Sequence, residues 1–330
     1  MPWLTICIVL LCFTAQGQDS TQEKSNAEAS ATIRISGDPA ISALLEDWQR
    51  QFHRVHTGVT FENRLTGPAS AMAGLYTAVA DIAFAGHELL TSESMAFEWI
   101  FHYRPLAIEV VSGSLDGRYF APVFFVSNKN PLPGLTLEQA ESVLGCASQD
   151  SKPARNWGDL GIAGAWADKP IHVYAYQTES ELGVFIRRKV LQNSYKWNCE
   201  MATFHPPGNP LNPGQDESAD ILSALRRDTY GIAVSNVRYA TPEVKIVPLA
   251  SWGADQTIPP SPQNIIDRRY QLVRPFFVYL NREPGKPVRP EIAAFLRFVL
   301  GKEGQQRVLK DGSFLPLSDV VARKQLAMLD

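Results

Sequence analysis

Two kinds of hydrophobic spacing alternate along this chain. Short runs rich in β-branched and aromatic residues give way to longer segments in which apolar residues return every three or four positions. Thr32 to Ser36 predicts a strand, and Ala40 to His53 an amphipathic helix with Ile41, Leu44, Leu45, Trp48 and Phe52 on one face. Val59 to Arg64, Ser70 to Ala78 and Asp81 to Ala85 predict strand, helix and strand in turn. This alternation implies parallel α/β packing, in which loops at the carboxyl ends of strands gather into a ligand cleft. Gly37, Gly67 and Gly86 mark those loops.

The pattern resumes after an extended exit at Leu106 to Ser112. Val123 to Ser127 reads as a strand, and the segment from Leu135 as a helix capped by Thr136 and closed by Gly145. Asn156 to Leu160 is turn-rich, while Ile171 to Tyr176 and Gly231 to Val234 read as further strands. Near the end, Phe276 to Tyr279 follows a proline as a buried strand. A long amphipathic helix then begins near Pro290, where the first turn has no use for the missing N–H. Glu291 suits its positive end, and Ile292, Phe295, Leu296, Val299 and Leu300 recur at helical spacing.

The order YQLVRPFFVY, FLRFVLGKEGQQRV and GSFLPL, together with FFVSNKNPLPGLTLEQAESVLG, resembles the phosphate-type periplasmic solute-binding proteins of ABC transporters. The resemblance covers roughly residues 31 to 320. It implies an α/β, two-lobed type II periplasmic-binding-protein fold with two crossing hinge strands. Residues 31 to 105 plus 276 to 330 would form lobe 1, and 106 to 275 lobe 2. Closure on a ligand would follow from contacts that both lobes make only in the shut form.

At 330 residues the chain has room for two cores, since single cores seldom grow past about 250 to 300 residues. With 45% hydrophobic residues, a net charge of −3 and no basic run, it lacks both the composition of a disordered chain and the electrostatic footprint of a nucleic-acid binder.

Leu4 to Phe13 is an apolar run too short to span a bilayer, and Ala15-Gln16-Gly17 offers small residues at a cleavage spacing. Residues 1 to 17 therefore read as a secretory signal peptide and 18 to 30 as a polar flexible leader. The expected location is periplasmic or secreted. A lipid anchor on Cys12 is the alternative, although the small residue that should precede it is absent. Removal of the signal leaves Cys146 and Cys199, an even pair in an oxidising compartment, for which one disulfide is expected. Such a loop would stabilise by roughly 3 to 4 kcal/mol in the chain-entropy model. Two separate thiols are the other reading.

The resemblance also implies where an oxyanion would sit, and the physics is that of orphan backbone donors and helix dipoles at helix N-termini. Ser36, Gly37, Asp38 and Pro39 match the first such loop, and Thr66, Gly67 and Ser70 the second. Asp38 as a plain N-cap with Pro39 in the first turn, and Thr66 or Ser70 as caps, read equally well. Gly86 and His87 follow the third strand, where the family places a serine and a charged residue. His87 offers a donor there, or is simply solvated. In the second lobe the family's arginine-led motif is replaced by Tyr176, Gln177, Thr178, Glu179, Ser180 and Glu181; Tyr176, Thr178 and Ser180 are the candidates, with Ser180 alone clearly in register. Tyr176 cannot replace the charge of an arginine. Glu179 and Glu181 would repel a dianion if they point inward, or would simply favour the amino end of a helix.

No GxSxG, HExxH, Walker loop or metal-ligand spacing occurs, so an enzyme is not expected, nor a metal or cofactor. The expected function is an extracytoplasmic monomer that captures phosphate or a related small oxyanion for an ABC permease. The alternative is a module of the same fold that binds a different polar ligand or an envelope partner for sensing.

Overall fold

The computed structural model describes residues 31–146, 152–204 and 217–330. The expected signal peptide, leader and Cys12 anchor lie outside these residues.

The chain opens with β1 (Ala31–Gly37), α1 (Ser42–His53), β2 (Val59–Arg64), α2 (Pro68–Tyr76), β3 (Ile82–Ala85), α3 (Thr91–Phe101) and β4 (Leu106–Gly113). A second set follows: β5 (Val123–Ser127), β6 (Leu135–Thr136), α4 (Leu137–Leu144), β7 (His172–Tyr176), α5 (Glu181–Lys189), β8 (Ala202–Phe204), α6 (Glu217–Arg226) and β9 (Gly231–Ser235). It ends with β10 (Val244–Val247), β11 (Leu249–Ala250) and α7 (Pro262–Ile266). The chain then returns through β12 (Pro275–Leu280), α8 (Pro290–Leu300), α9 (Lys302–Asp311), β13 (Phe314–Leu315) and α10 (Asp319–Ala327).

Two sheets organise these elements. The first runs β13-β4-β12-β3-β1-β2, and the second β10-β5-β9-β7-β8. In the first, β1 is parallel to β2 and β3, whereas β12 is antiparallel to both β3 and β4. In the second, β7 is parallel to β8 and β9, and β5 is antiparallel to β9 and β10. Strand β4 pairs with β12 along its length, so the chain leaves the first sheet after Gly113 and not before Leu106, where lobe 2 was expected to begin.

Each sheet carries its own core. On one face of the first sheet, Trp48 and Phe52 of α1 pack with Ile33, Ile35 and Phe295, and the Phe52 and Phe295 rings lie 5.4 Å apart in an edge-on contact. On the opposite face, Met72 and Leu75 of α2 meet Phe97 of α3. The second core gathers Phe124, Phe125, Trp157, Ile186, Ile221 and Leu272. Thr136 and Gln139 form the reciprocal box that starts α4: Gln139 N–H donates to Thr136 Oγ1 at 3.2 Å, and Thr136 N–H to Gln139 Oε1 at 3.0 Å.

The expected long terminal helix is two helices. Gly301 is extended, with φ −74° and ψ 170°, and ends α8 before α9 turns back. A Cβ on Gly304 would meet the carbonyl oxygens of Phe298 and Val299 at 2.3 and 2.4 Å, so only glycine permits this fold-back. Trp48 Nε1 seals it by donating to Gly304 O at 2.9 Å.

The expected disulfide is likewise corrected. Cys146 and Cys199 are free thiols. Backbone pairing of Gly145 with Trp197 aims the Cys146 thiol at Trp197 O, 2.7 Å away, while Cys199 lies exposed.

Candidate ligand cleft

The loops at the carboxyl ends of β1 and β3 form one wall of a cleft. Gly37 has φ +152°, and a Cβ there would lie 2.2 Å from Phe84 O, so the turn after β1 packs directly on the end of β3. Asp38 follows with a buried side chain whose Oδ1 accepts from Ala40 N–H at 2.8 Å. Desolvation holds its carboxyl above the usual range, with Glu181 adding to that and the Ala40 bond and Arg274 opposing it. At Gly86 a Cβ would lie 2.6 Å from the Tyr119 ring and 3.2 Å from Asp38 Oδ2. The absent side chain is what lets the Tyr119 ring and the Asp38 carboxyl both pack close to this loop.

Tyr119 belongs to the passage between the sheets. Its hydroxyl lies 2.5 Å from Gly86 O and 2.7 Å from Pro275 O, so it ties that passage both to the loop after β3 and to the start of β12. The Arg274 guanidinium stacks on its ring at 4.1 Å. Arg274 has a side chain only 5% exposed; Nη1 donates to Phe120 O at 3.2 Å and Nη2 pairs with Glu181 Oε1. Glu181, which opens α5, is 37% exposed.

Helix α5 forms the opposite wall. Arg188 donates from Nη1 to Glu88 O at 2.8 Å and from Nη2 to Leu89 O at 2.7 Å, and Lys189 Nζ meets Glu88 Oε1 at 2.9 Å. These bonds latch α5 onto the loop after β3. Beside them, His87 Nε2 pairs with Glu93 Oε2 at 3.0 Å. Burial opposes charge on His87, but Glu93 outweighs it and lifts the imidazole above its usual pKa. The walls enclose a cavity of about 240 Å³. Gly86, His87, Tyr119 and Arg274 line it together with Leu90, Val184 and Phe185.

Of the residues expected in the cleft, Gly86 and His87 line this cavity, next to Pro68 and Ala69 of the second loop. The expected hydroxyl donors are engaged elsewhere. Ser36 Oγ donates to Ala71 O at 2.9 Å, Ser70 Oγ to Gly67 O at 2.6 Å, and Ser180 Oγ to Gln177 O at 2.7 Å. Ser180 also caps α5 by accepting from Gly183 N–H at 3.1 Å. Tyr176 is buried in the second core with its hydroxyl 2.9 Å from Ser218 Oγ, and Pro39, Thr66 and Thr178 are absent from the cavity wall. Arg274 and Tyr119 were missed as site residues. Arg274 was visible in the sequence as the arginine immediately before the crossing strand, but its partner Glu181 stands 93 residues away.

Comparison with known proteins places this architecture. The profile of the PBP superfamily domain matches residues 22–303. The phosphate-binding protein PstS of Pseudomonas aeruginosa is 30% identical over 304 residues, covering 91% of this chain and 87% of that protein. The chain belongs to the PBP superfamily, in the family of the PstS proteins. Among solved structures in the same superfamily, PstS from Borrelia burgdorferi aligns with a TM-score of 0.60 at 16% identity, over 87% of this chain and 99% of that one. An ABC-type phosphate transport receptor from Vibrio cholerae aligns with a TM-score of 0.55 at 17% identity, over 86% and 99%. The two-lobed PBP fold is thus shared, at identities that speak for the fold alone. No helix among the described residues is long and apolar enough to cross a membrane.

Proposed function

We propose that this protein captures phosphate or a related small oxyanion between its two lobes, outside the cytoplasm, and hands it to an ABC permease as a monomer. The reading rests on family membership and on one observation above others: a buried arginine stacked on Tyr119 where the two lobes meet. A planar guanidinium in a desolvated cleft suits bidentate recognition of an oxyanion, and lobe closure would shield that contact from water. The role is binding, with no catalytic step assigned to any residue. Equilibrium dialysis of the mature protein against phosphate, sulfate and molybdate tests it. Saturable one-to-one retention of an oxyanion supports the reading, and no retention of any of the three removes it.

A second reading has its own observation. Glu181 occupies Arg274, and the serines expected to donate are bonded to backbone carbonyls. This favours a family member whose ligand differs from inorganic phosphate and whose role is sensing. Uptake in cells separates the two: a transport role predicts that deleting the gene slows uptake of the bound oxyanion, and a sensing role predicts unchanged uptake with altered gene expression.

A further inference from the structure

We propose that the ligand is an oxyanion carrying a compact apolar substituent, and that its head binds by displacing the Glu181 carboxylate from Arg274. The proposal rests on the oxyanion reading of the cleft and narrows it. A cavity of about 240 Å³ offers more room than a bare tetrahedral anion requires. The space beside Arg274 is largely apolar. Leu90 borders it from the first lobe, Val184 and Phe185 from α5, and Pro68, Ala69 and Pro275 add to its apolar part. Such a surface gains by burying carbon, which a bare inorganic anion does not carry.

The charged groups point the same way. His87 is matched by Glu93, Lys189 by Glu88, and Arg274 by Glu181, so each of these cations already has a carboxylate of its own. Glu179 adds a further acidic group to the wall. Arg188, which also lines the wall, is engaged with Glu88 O and Leu89 O, so a dianion would meet these carboxylates with Arg274 alone to hold it, whereas a singly charged head replaces Glu181 charge for charge. Glu181 is free to leave because its side chain is more than one-third exposed while Arg274 is buried. The carboxylate of Glu181 therefore marks the seat of the ligand's head, and Phe185, which also faces Arg274 at 5.8 Å, marks the seat of its body.

Titration calorimetry of the full mature protein with inorganic phosphate, benzenesulfonate and butyrate tests this, since the last two carry a singly charged head and an apolar body on different acids. At least one organic anion is expected to bind about tenfold or more tighter than inorganic phosphate. Phe185→Ala should remove most of that preference, and Glu181→Gln should tighten binding of the preferred anion by releasing Arg274. Inorganic phosphate binding as tightly as both organic anions, or a preference that survives Phe185→Ala, overturns the proposal and leaves the oxyanion reading standing. Weaker binding by Glu181→Gln overturns the displacement. No heat from any of the three overturns both the proposal and the oxyanion reading.

Discussion

Asp38 and His87 show how burial and pairing set opposite conditions within one cleft. Desolvation raises the pKa of Asp38, so folding opposes its charged form. The stability linked to that shift is fully present below the ordinary carboxylate range near 3.9 and is lost as pH rises through the raised value. Asp38→Asn keeps the acceptor for Ala40 N–H and removes the charge. It should raise the melting temperature by about 2 °C at neutral pH, with the gain fading as pH falls through the carboxylate range in a differential scanning series. His87 is raised too, but by its partner: Glu93 overcomes the burial that favours the neutral ring. Stability from that pair is complete below the ordinary histidine range near 6.5 and is lost as pH rises through the raised value. Glu93→Gln should lower the His87 pKa, read by NMR, and should cost about 2 kcal/mol below pH 6 and less at pH 9. A pKa for His87 unchanged by the substitution would contradict the pairing.

At the level of elements, glycine decides where the carboxyl-terminal helices turn. Gly304→Ala places a methyl against the carbonyls of Phe298 and Val299, and urea unfolding should show a loss of about 2 kcal/mol or more. The two cysteines give a chemical check. Alkylation of native, unreduced protein should label Cys199 quickly and Cys146 more slowly, and a mass showing neither labelled would restore the disulfide. Much of this layer was legible in the chain: β2 and β5 follow their apolar runs, and the Thr136 box announces α4. The split at Gly301 left a local trace, since the apolar spacing stops at Leu300 and resumes only at Val308, but the direction of α9 is set by its packing against α8. The site was less legible still. Local turns claim the hydroxyls of Ser70 and Ser180, and Ser36, at the end of β1, bonds across to Ala71 O of α2. Arg274 and Glu181 stand 93 residues apart and meet only in the tertiary fold, a long-range relation that no local pattern carries.

For the whole molecule, the bonds from α5 to the loop after β3 bridge the cleft beside the two connections between the sheets. Glu109 of β4 pairs with Arg268 ahead of β12, so the connections are also tied to each other. Arg188→Ala removes two hydrogen bonds to Glu88 and Leu89 and should cost the shut form about 2 kcal/mol. Small-angle scattering should then show a larger radius of gyration for the unliganded variant, and an unchanged profile would count against the latch.

The central claim is that Arg274 holds the oxyanion. Calorimetric titration of the wild type and of Arg274→Gln with the oxyanion retained best in dialysis, after circular dichroism shows both folded, tests it most directly. The account predicts one-site binding by the wild type and a loss of about a hundredfold or more in the variant, as expected when a buried charged partner is removed. Equal affinity in the two proteins would contradict it.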